Sequence, residues 1–231
     1  KLAVESLSFP FGIPFLFFNG EIFLSRELPT SYILVNLFYK MPEFVTLSFV
    51  LFICFFTKIG PHFKNEFKGF YFKIFTILLI ILFPNILFLI SPYAVYDGLR
   101  LFLYLIPFIC IIPAILIFFL YKKIKNNLYK FTFLFLILLQ AFYLFNFFSL
   151  TPYHYIYINI FAGKYSENSK KFENDYWGVS TKELISKISN HGEMFRNSEV
   201  KIALCGLADG HVNYYLKKNK NLKFKIVDNK E

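Results

Sequence analysis

Long apolar runs fill the chain between residues 33 and 150, and four of them are long enough to cross a lipid bilayer as helices. A hydrocarbon core of about 30 Å is spanned by roughly 20 helical residues. The pattern predicts spans at residues 39–56, 70–90, 101–121 and 128–150, and the apolar residues 32–38 can extend the first. Four such segments nearly end to end are not expected in the core of a water-soluble protein. Residues 1–150 are therefore predicted to form a membrane domain with about four transmembrane helices.

The remaining residues, 151–231, form a smaller region of α/β character. Residues 180–183 (STKE) match the capping box that opens a helix, which is predicted to run to about residue 189. Two predicted strands, at residues 200–207 and 222–228, flank a short helix at residues 208–216. This order indicates part of a parallel α/β unit, one too small to form a complete sheet alone.

Lysines in the connections between the spans predict the orientation. The first and third connections are rich in lysine, whereas the second, at residues 91–100, has Arg100 as its cation and Asp97 to balance it. The lysines of the two basic connections and their edges are Lys58, Lys64, Lys68, Lys73, Lys122, Lys123, Lys125 and Lys130. Cytoplasmic loops carry such an excess of positive charge, so both are placed in the cytoplasm. The predicted fold class is mainly α, a multi-pass cell-membrane protein with a small C-terminal α/β region on the extracytoplasmic side.

Composition supports the membrane prediction and limits the partners. Aromatic residues make up 22% of the chain and charged residues only 17%, whereas a soluble domain has about 25% charged residues. The net charge of +10 does not indicate nucleic acid, because eight of the 25 cations are the lysines just named and no separate basic stripe stands beside aromatics. Anionic lipid headgroups are the simpler partner. The three cysteines lie far apart and match neither a disulfide framework nor a zinc motif, so no metal site or cofactor is predicted.

Two pairs of charged residues flank the predicted spans, where ionisable groups are functional candidates because burying them in hydrocarbon is costly. Asp97 and Arg100 are three residues apart, so a helical turn would bring them to one face. The planar guanidinium of Arg100 suits a phosphate or pyrophosphate, and a local ion pair that anchors the helix end explains the two residues equally well. Lys40 and Glu43, around Pro42, are better explained by a snorkelling lysine and a glutamate near a helix N-terminus.

Residues 172–178 (FENDYWG) contain the only tryptophan of the chain, Trp177, close to two carboxylates. Aromatic rings beside carboxylates are common in sugar-binding sites. They are also common in turns that pack on a membrane, and composition alone favours that structural role.

Three sequence blocks then point to a family. The first comprises residues 17–21 (FFNGE), 27–32 (ELPTSY) and 40–42 (KMP), and the second comprises residues 92–100 (PYAVYDGLR). The third comprises residues 152–159 (PYHYIYIN), Gly163 and residues 175–178 (DYWG). In order, spacing and membrane placement they resemble the C-terminal half of glycosyltransferase family 39, the dolichyl-phosphate-mannose–protein mannosyltransferases, and its bacterial relatives. Thr30 stands where the family pattern has Trp, and Leu101 stands where it has His.

The resemblance implies a partial GT-C-type fold and transfer of a sugar from a polyprenyl- or dolichyl-phosphate donor to an acceptor on the outer face of the membrane. In such enzymes an acidic residue of the first external loop assists the attack of the acceptor, and that loop belongs to an N-terminal half. The chain starts at Lys1 without the regions of a signal peptide, so it is interpreted as a fragment that is inactive alone and whose catalytic residue is unknown. The sugar, the acceptor, the oligomeric state and the use of a divalent cation stay open.

The resemblance also assigns expected contacts. Donor-side contacts are expected from four residues of the second block: Arg100, Asp97, Tyr96 and Tyr93. Arg100 is expected to bind the lipid phosphate, with Asp97 orienting it. Acceptor-side or structural contacts are expected from three residues of the third block: Asp175, Tyr176 and Trp177.

Two other classes of function remain alternatives. A transporter or flippase of lipid-linked saccharides would show an internal repeat and charges in the middle of the membrane, and the sequence shows neither. A non-catalytic membrane anchor would serve only to present the α/β tail to a partner.

Overall fold

The computed structural model describes residues 15–91, 93–95, 98–172, 178–190, 200–203, 209–218 and 224–227. The chain divides into two compact units, Lys1–Glu173 and Asn174–Glu231. The described part of the first unit is mainly helical, and that of the second contains helices and a small sheet. The first unit extends past residue 150, where the sequence places the boundary, because residues 151–172 are bonded to its helices and hairpin.

A two-stranded antiparallel hairpin precedes the helices of the first unit. Strand β1 (Phe15–Phe18) pairs with strand β2 (Glu21–Leu24), with Phe18 opposite Glu21. Asn19 and Gly20 both have positive φ angles, 52° and 89°, as a two-residue type I′ turn requires. The first described residues of the chain thus form a tight hairpin.

Four helices of the first unit are long and apolar enough to cross a membrane: Glu43–Lys64, Phe70–Ile90, Arg100–Lys122 and Asn127–Ser149. The helices are α1 (Tyr32–Lys40), α2 (Glu43–Lys64), α3 (Phe70–Ile90), α4 (Ile106–Lys122, after the 3₁₀ helix Arg100–Leu105), α5 (Asn127–Ser149) and α6 (Tyr165–Asn168). Two 3₁₀ turns, His154–Ile156 and Ile160–Ala162, lie between α5 and α6. The last three predicted spans agree with these bounds to within one residue. The structure is therefore consistent with a membrane protein that has four apolar helices of spanning length.

The first predicted span is wrong at both ends. The helix begins at Glu43 instead of residue 39, because Pro42 has no backbone N–H with which to continue α1. It ends at Lys64 instead of residue 56, although residues 57–64 include two lysines, a glycine and a proline. Ile59 and Phe63 are completely buried in this last part, so packing outweighs the low helix propensity of its neighbours.

Apolar residues form two cores in the first unit. Ile33 and Leu105 belong to the core near the hairpin, and Ile59 belongs to the core at the opposite end of the helices. The outward faces are apolar as well, since Phe72 and Phe145 are 74% and 73% exposed. Helices that are apolar all round are stable when lipid covers the outward faces.

The short connections between helices of alternating direction define two ends of the first unit. The lysine-rich end consists of residues 64–69 and 122–126. The hairpin end consists of residues 15–42, which include the hairpin and α1, the described residues of 91–100 and residues 150–172. Which of the two ends faces the cytoplasm stays a prediction from the lysine bias.

Asn126 caps α5 at the lysine-rich end. Its side-chain Oδ1 accepts a hydrogen bond from the backbone N–H of Leu128 at 3.0 Å, which satisfies one of the free donors of the first turn. Asn126→Ala should lower the free energy of unfolding by about 1 kcal/mol. Denaturant titration in detergent measures this cost, and Asn127→Ala, at the next position, should leave the midpoint nearly unchanged. Equal midpoint shifts in the two variants would contradict the assignment of the cap.

The described part of the second unit confirms the predicted order of strand, helix and strand. Helix α7 (Thr181–Asn190) is followed by β3 (Val200–Ala203), α8 (Asp209–Lys218) and β4 (Phe224–Val227). The two strands pair in parallel, with Ile202 opposite Ile226. Leu216 of α8 is completely buried in a small core with Ile185 and Val212. The alternation of apolar residues is local information, which explains why the sequence reveals this unit.

Candidate functional site

The hairpin end brings together residues of all three sequence blocks. The hairpin belongs to the first block, and its Phe18 forms an isolated antiparallel bridge with Phe172. The N–H of Gly20 donates to the carbonyl of Lys171 at 3.2 Å. Residues that are about 150 positions apart in the sequence therefore share one backbone network.

The second block lies against α1 and the segment before it. The N–H of Gly98 donates to the hydroxyl oxygen of Tyr32 at 3.0 Å, in a buried position. The N–H of Val95 donates to the carbonyl of Ser25 at 3.3 Å. These two bonds hold the second block against Tyr32 and against the segment before α1. Tyr32 and Val95 are both almost fully buried.

Gly98 allows Lys40 to approach this turn closely. Its φ angle is +62°, in the left-handed region that favours glycine. A Cβ atom at position 98 would overlap Nζ of Lys40 and would lie 3.3 Å from Oδ1 of Asn36. The ammonium group of Lys40 is therefore held at the turn that leads to Arg100, and it does not simply reach outward to the membrane interface.

Arg100 begins the 3₁₀ helix that leads into α4, and it is exposed. Its Cα is within about 7.6 Å of that of Gly98, because two trans peptide units separate them. The structure thus places two cationic residues, Lys40 and Arg100, at one turn. Asp97 and Tyr96, the other two residues expected at this position, lie outside the described residues.

Tyr93, the fourth expected donor-side residue, is half-buried and packed against α3. Its hydroxyl donates to the carbonyl of Pro84 at 3.3 Å, and its ring meets that of Phe88 edge-on at 5.4 Å. Burial, with a smaller contribution from Tyr104, raises the pKa of Tyr93 to about 12. The phenol is therefore neutral at physiological pH, and its proton is directed at the backbone of α3.

A buried carboxylate, Glu43, ties the third block to the start of α2. Its side chain is 1% exposed. Oε2 accepts from the hydroxyl of Tyr157 at 2.7 Å, and Oε1 accepts from the backbone N–H of Ile160 at 3.0 Å. Burial first, and then the bond to Glu43, raise the pKa of Tyr157 above its usual value. Glu43 is in the first turn of its helix, as expected, but the sequence does not reveal its partners.

Asn159 ties the third block to the end of α1. Its backbone N–H donates to the carbonyl of Tyr39 at 2.8 Å. Its side-chain Nδ2 donates to the carbonyl of Phe38 and, at 3.0 Å, to that of Met41. Oδ1 accepts from the N–H of Phe161 at 3.2 Å. One buried asparagine thus satisfies three carbonyls at and after the end of α1.

The residues expected on the acceptor side, Asp175, Tyr176 and Trp177, lie outside the described residues. Across the described ranges, no three His, Cys, Asp or Glu side chains stand close enough together to hold a metal ion. The groups that the structure does bring together are two cations at one turn and, separately, a buried carboxylate that accepts two hydrogen bonds. Sequence reasoning noted Lys40, Arg100 and Glu43, and the third block contains Tyr157 and Asn159. It did not reveal the partners of Tyr157 and Asn159, because these are more than 110 positions away.

Comparison of this chain with models of protein families, with curated proteins and with solved structures gives no match.

Proposed function

We propose that this chain is part of an integral-membrane glycosyltransferase, which moves a sugar from a polyprenyl- or dolichyl-phosphate donor to an acceptor at the outer face of the membrane. The observation that carries the proposal is the pair of cationic residues, Lys40 and Arg100, at the turn around Gly98. They come from the first and second sequence blocks, which resemble one family of such enzymes. The hairpin end is then the extracytoplasmic end, in agreement with the lysine bias of the other end.

The chemistry of the two cations suits a lipid phosphate. Arg100 is exposed at the N-terminal end of a span, so it stands at the depth of the headgroups. A guanidinium can bind two phosphate oxygens at once, and a lysine ammonium adds a point charge. During transfer the bond between the sugar and the phosphate breaks, and negative charge develops on the leaving phosphate. Cations held in place at this turn would stabilise that charge.

The third block and Glu43 support this position without touching the phosphate. Glu43 uses both of its oxygens as acceptors for Tyr157 and Ile160, so we assign it a positioning role and not that of a general base. Asn159 holds the third block on the end of α1, whose last residue is Lys40. The contacts of Glu43 and Asn159 therefore hold α1, and with it the Lys40 ammonium, beside the turn around Gly98. No catalytic residue is assigned within the described residues.

Arg100→Ala should lower sugar transfer at least tenfold, because a hydrogen-bonded contact between charged groups contributes about 1.5–3 kcal/mol. The measurement is transfer of radiolabelled sugar from a polyprenyl-phosphate donor, in membranes that contain the whole protein. Arg100→Lys should retain part of the activity, since it keeps the charge and loses the fork. Lys40→Ala should also lower sugar transfer.

Arg26→Ala is the matched control, because Arg26 is an exposed arginine of the same end. It should transfer sugar at the rate of the unchanged protein. Immunoblotting of the membrane fraction verifies that each variant inserts at the same level. Full transfer by Arg100→Ala would remove Arg100 from the mechanism, and equal losses in the Arg100→Ala and Arg26→Ala variants would show that the effect is not local.

A further inference from the structure

A second feature with the properties of a binding site lies at the lysine-rich end, far along the helices from the turn around Gly98. It is a groove of about 380 Å³ between α3 and α4. Phe63, Phe70 and Ile74 are buried in its wall, whereas Phe67 and Phe118 are close to half exposed at its rim. The groove is thus apolar inside and open to the outer surface of the helices.

The groove runs inward from the connections. On α3 its lining extends from Phe70 to Ile77, and on α4 it extends from Phe118 back to Ile111. Seven residues of helix span about 10 Å at 1.5 Å per residue. The groove therefore begins near the level of the lipid headgroups and continues about 10 Å toward the middle of the bilayer, parallel to the lipid chains.

Two lysines stand at its outer mouth. Lys73, one turn into α3, lines the groove itself. Lys122, at the end of α4, has its Nζ 5.3 Å from the ring centre of Phe118, which also lines the groove. Among the described residues that line the groove, Lys73 is the one that carries a charge. Positive charge at the mouth and apolar side chains within match the two parts of an anionic lipid.

We infer that this groove binds an anionic phospholipid, with one acyl chain between α3 and α4 and the phosphate beside Lys73 and Lys122. A free phosphate ion would leave the apolar length of the groove unfilled. A zwitterionic lipid would fill it equally well, but its own ammonium group would oppose the two lysines. The inference is independent of the proposed sugar transfer, since it uses neither the residues nor the end of the helices on which that function depends.

Ala114 offers a direct test, because it lines the groove and is exposed. Ala114→Phe should fill the groove and displace the acyl chain without disturbing a buried contact. Ala141→Phe is the matched control, since Ala141 is an exposed alanine of α5 that is not part of the lining. The measurement is native mass spectrometry of the whole purified protein, after incubation with phosphatidylglycerol or with phosphatidylcholine in the same detergent.

Charge is tested separately. Lys73→Gln should lower the retention of phosphatidylglycerol about fivefold, because one lysine near an anionic headgroup contributes about that factor in binding. Lys125→Gln removes an exposed lysine of the same end that does not line the groove, and it should have little effect. Phosphatidylcholine should be retained less than phosphatidylglycerol and should not respond to Lys73→Gln.

Loss of bound phosphatidylglycerol in Ala114→Phe and Lys73→Gln, with retention in both controls, would establish the site. Equal retention by Ala114→Phe and Ala141→Phe would overturn it, because the lipid would then lie elsewhere. Equal retention of the two lipids, unaffected by Lys73→Gln, would overturn the assignment to an anionic lipid. The Lys73→Gln result decides the question if Ala114→Phe does not fold, since a surface lysine is not needed for folding.

Discussion

Asn159→Asp should destabilise the first unit by about 3–5 kcal/mol, more than Asn159→Ala at about 2–4 kcal/mol. Both changes remove the two side-chain donors that satisfy the carbonyls of Phe38 and Met41. The aspartate also brings a carboxylate against those carbonyls, in a position that is 1% exposed. The order of the two variants is the informative result, because a mere loss of volume would make the alanine variant the worse one.

The effect is large because α1 ends with carbonyls that have no partner within the helix. Pro42 lacks the N–H that would otherwise donate to the carbonyl of Phe38, four residues earlier. Helix ends leave their last carbonyls without partners, and buried carbonyls without partners are costly. Asn159 supplies donors from a distant part of the chain to Phe38, Tyr39 and Met41. The break that separates α1 from α2 is therefore stable only with the third block in place.

The free energy of unfolding of each variant is measured by denaturant titration in detergent. Asn127 provides the control, because it is exposed at the start of α5. Asn127→Asp should be neutral or slightly stabilising, since a negative charge is favourable at a helix N-terminus. A midpoint for Asn159→Asp at or above that of Asn159→Ala would contradict the role of the side-chain amide as a double donor.

The membrane helices can be predicted from the sequence because their signal is local. An apolar stretch of bilayer length is visible without knowledge of any distant residue, and three of the four spans are placed to within one residue. The error at residues 39–42 has a local cause too, since the apolar residues of α1 obscured the break that Pro42 imposes. The strands of the second unit follow from short apolar runs in the same way.

The contacts of the hairpin end cannot be predicted in this way. Glu43 is 114 positions from Tyr157, and Asn159 is 121 positions from Phe38. No sequence periodicity connects residues at such distances, and the segments around these residues have no unusual composition that would mark them. Lys40 and Gly98 meet only because α3 returns the chain to the end from which α2 leaves. The groove at the lysine-rich end also depends on the packing of α3 on α4, which the apolar pattern of either helix does not specify.

Glu43→Ala should destabilise the first unit by about 2–6 kcal/mol, because it leaves one buried donor and one partly buried donor without an acceptor, at about 1–3 kcal/mol each. Those donors are the hydroxyl of Tyr157 and the N–H of Ile160. Glu43→Gln should cost much less. Its amide oxygen can accept from Ile160, and its amide nitrogen can donate to the oxygen of Tyr157, so both contacts persist as weaker neutral bonds. Glu66→Ala, at an exposed position of the lysine-rich end, should be neutral.

The pH dependence of the same contact identifies the proton that it uses. The pKa of Tyr157 is raised in the folded protein, so its neutral phenol is the form that the fold favours. The stability that depends on this phenol is fully present below about pH 10, the ordinary pKa of tyrosine, and it falls as the pH rises above that value. The difference in unfolding free energy between the unchanged protein and Tyr157→Phe should therefore be constant from about pH 7 to 9 and should shrink above pH 10. A difference that grew with pH would mean that the contact depends on the phenolate, and it would refute donation from Tyr157 to Glu43.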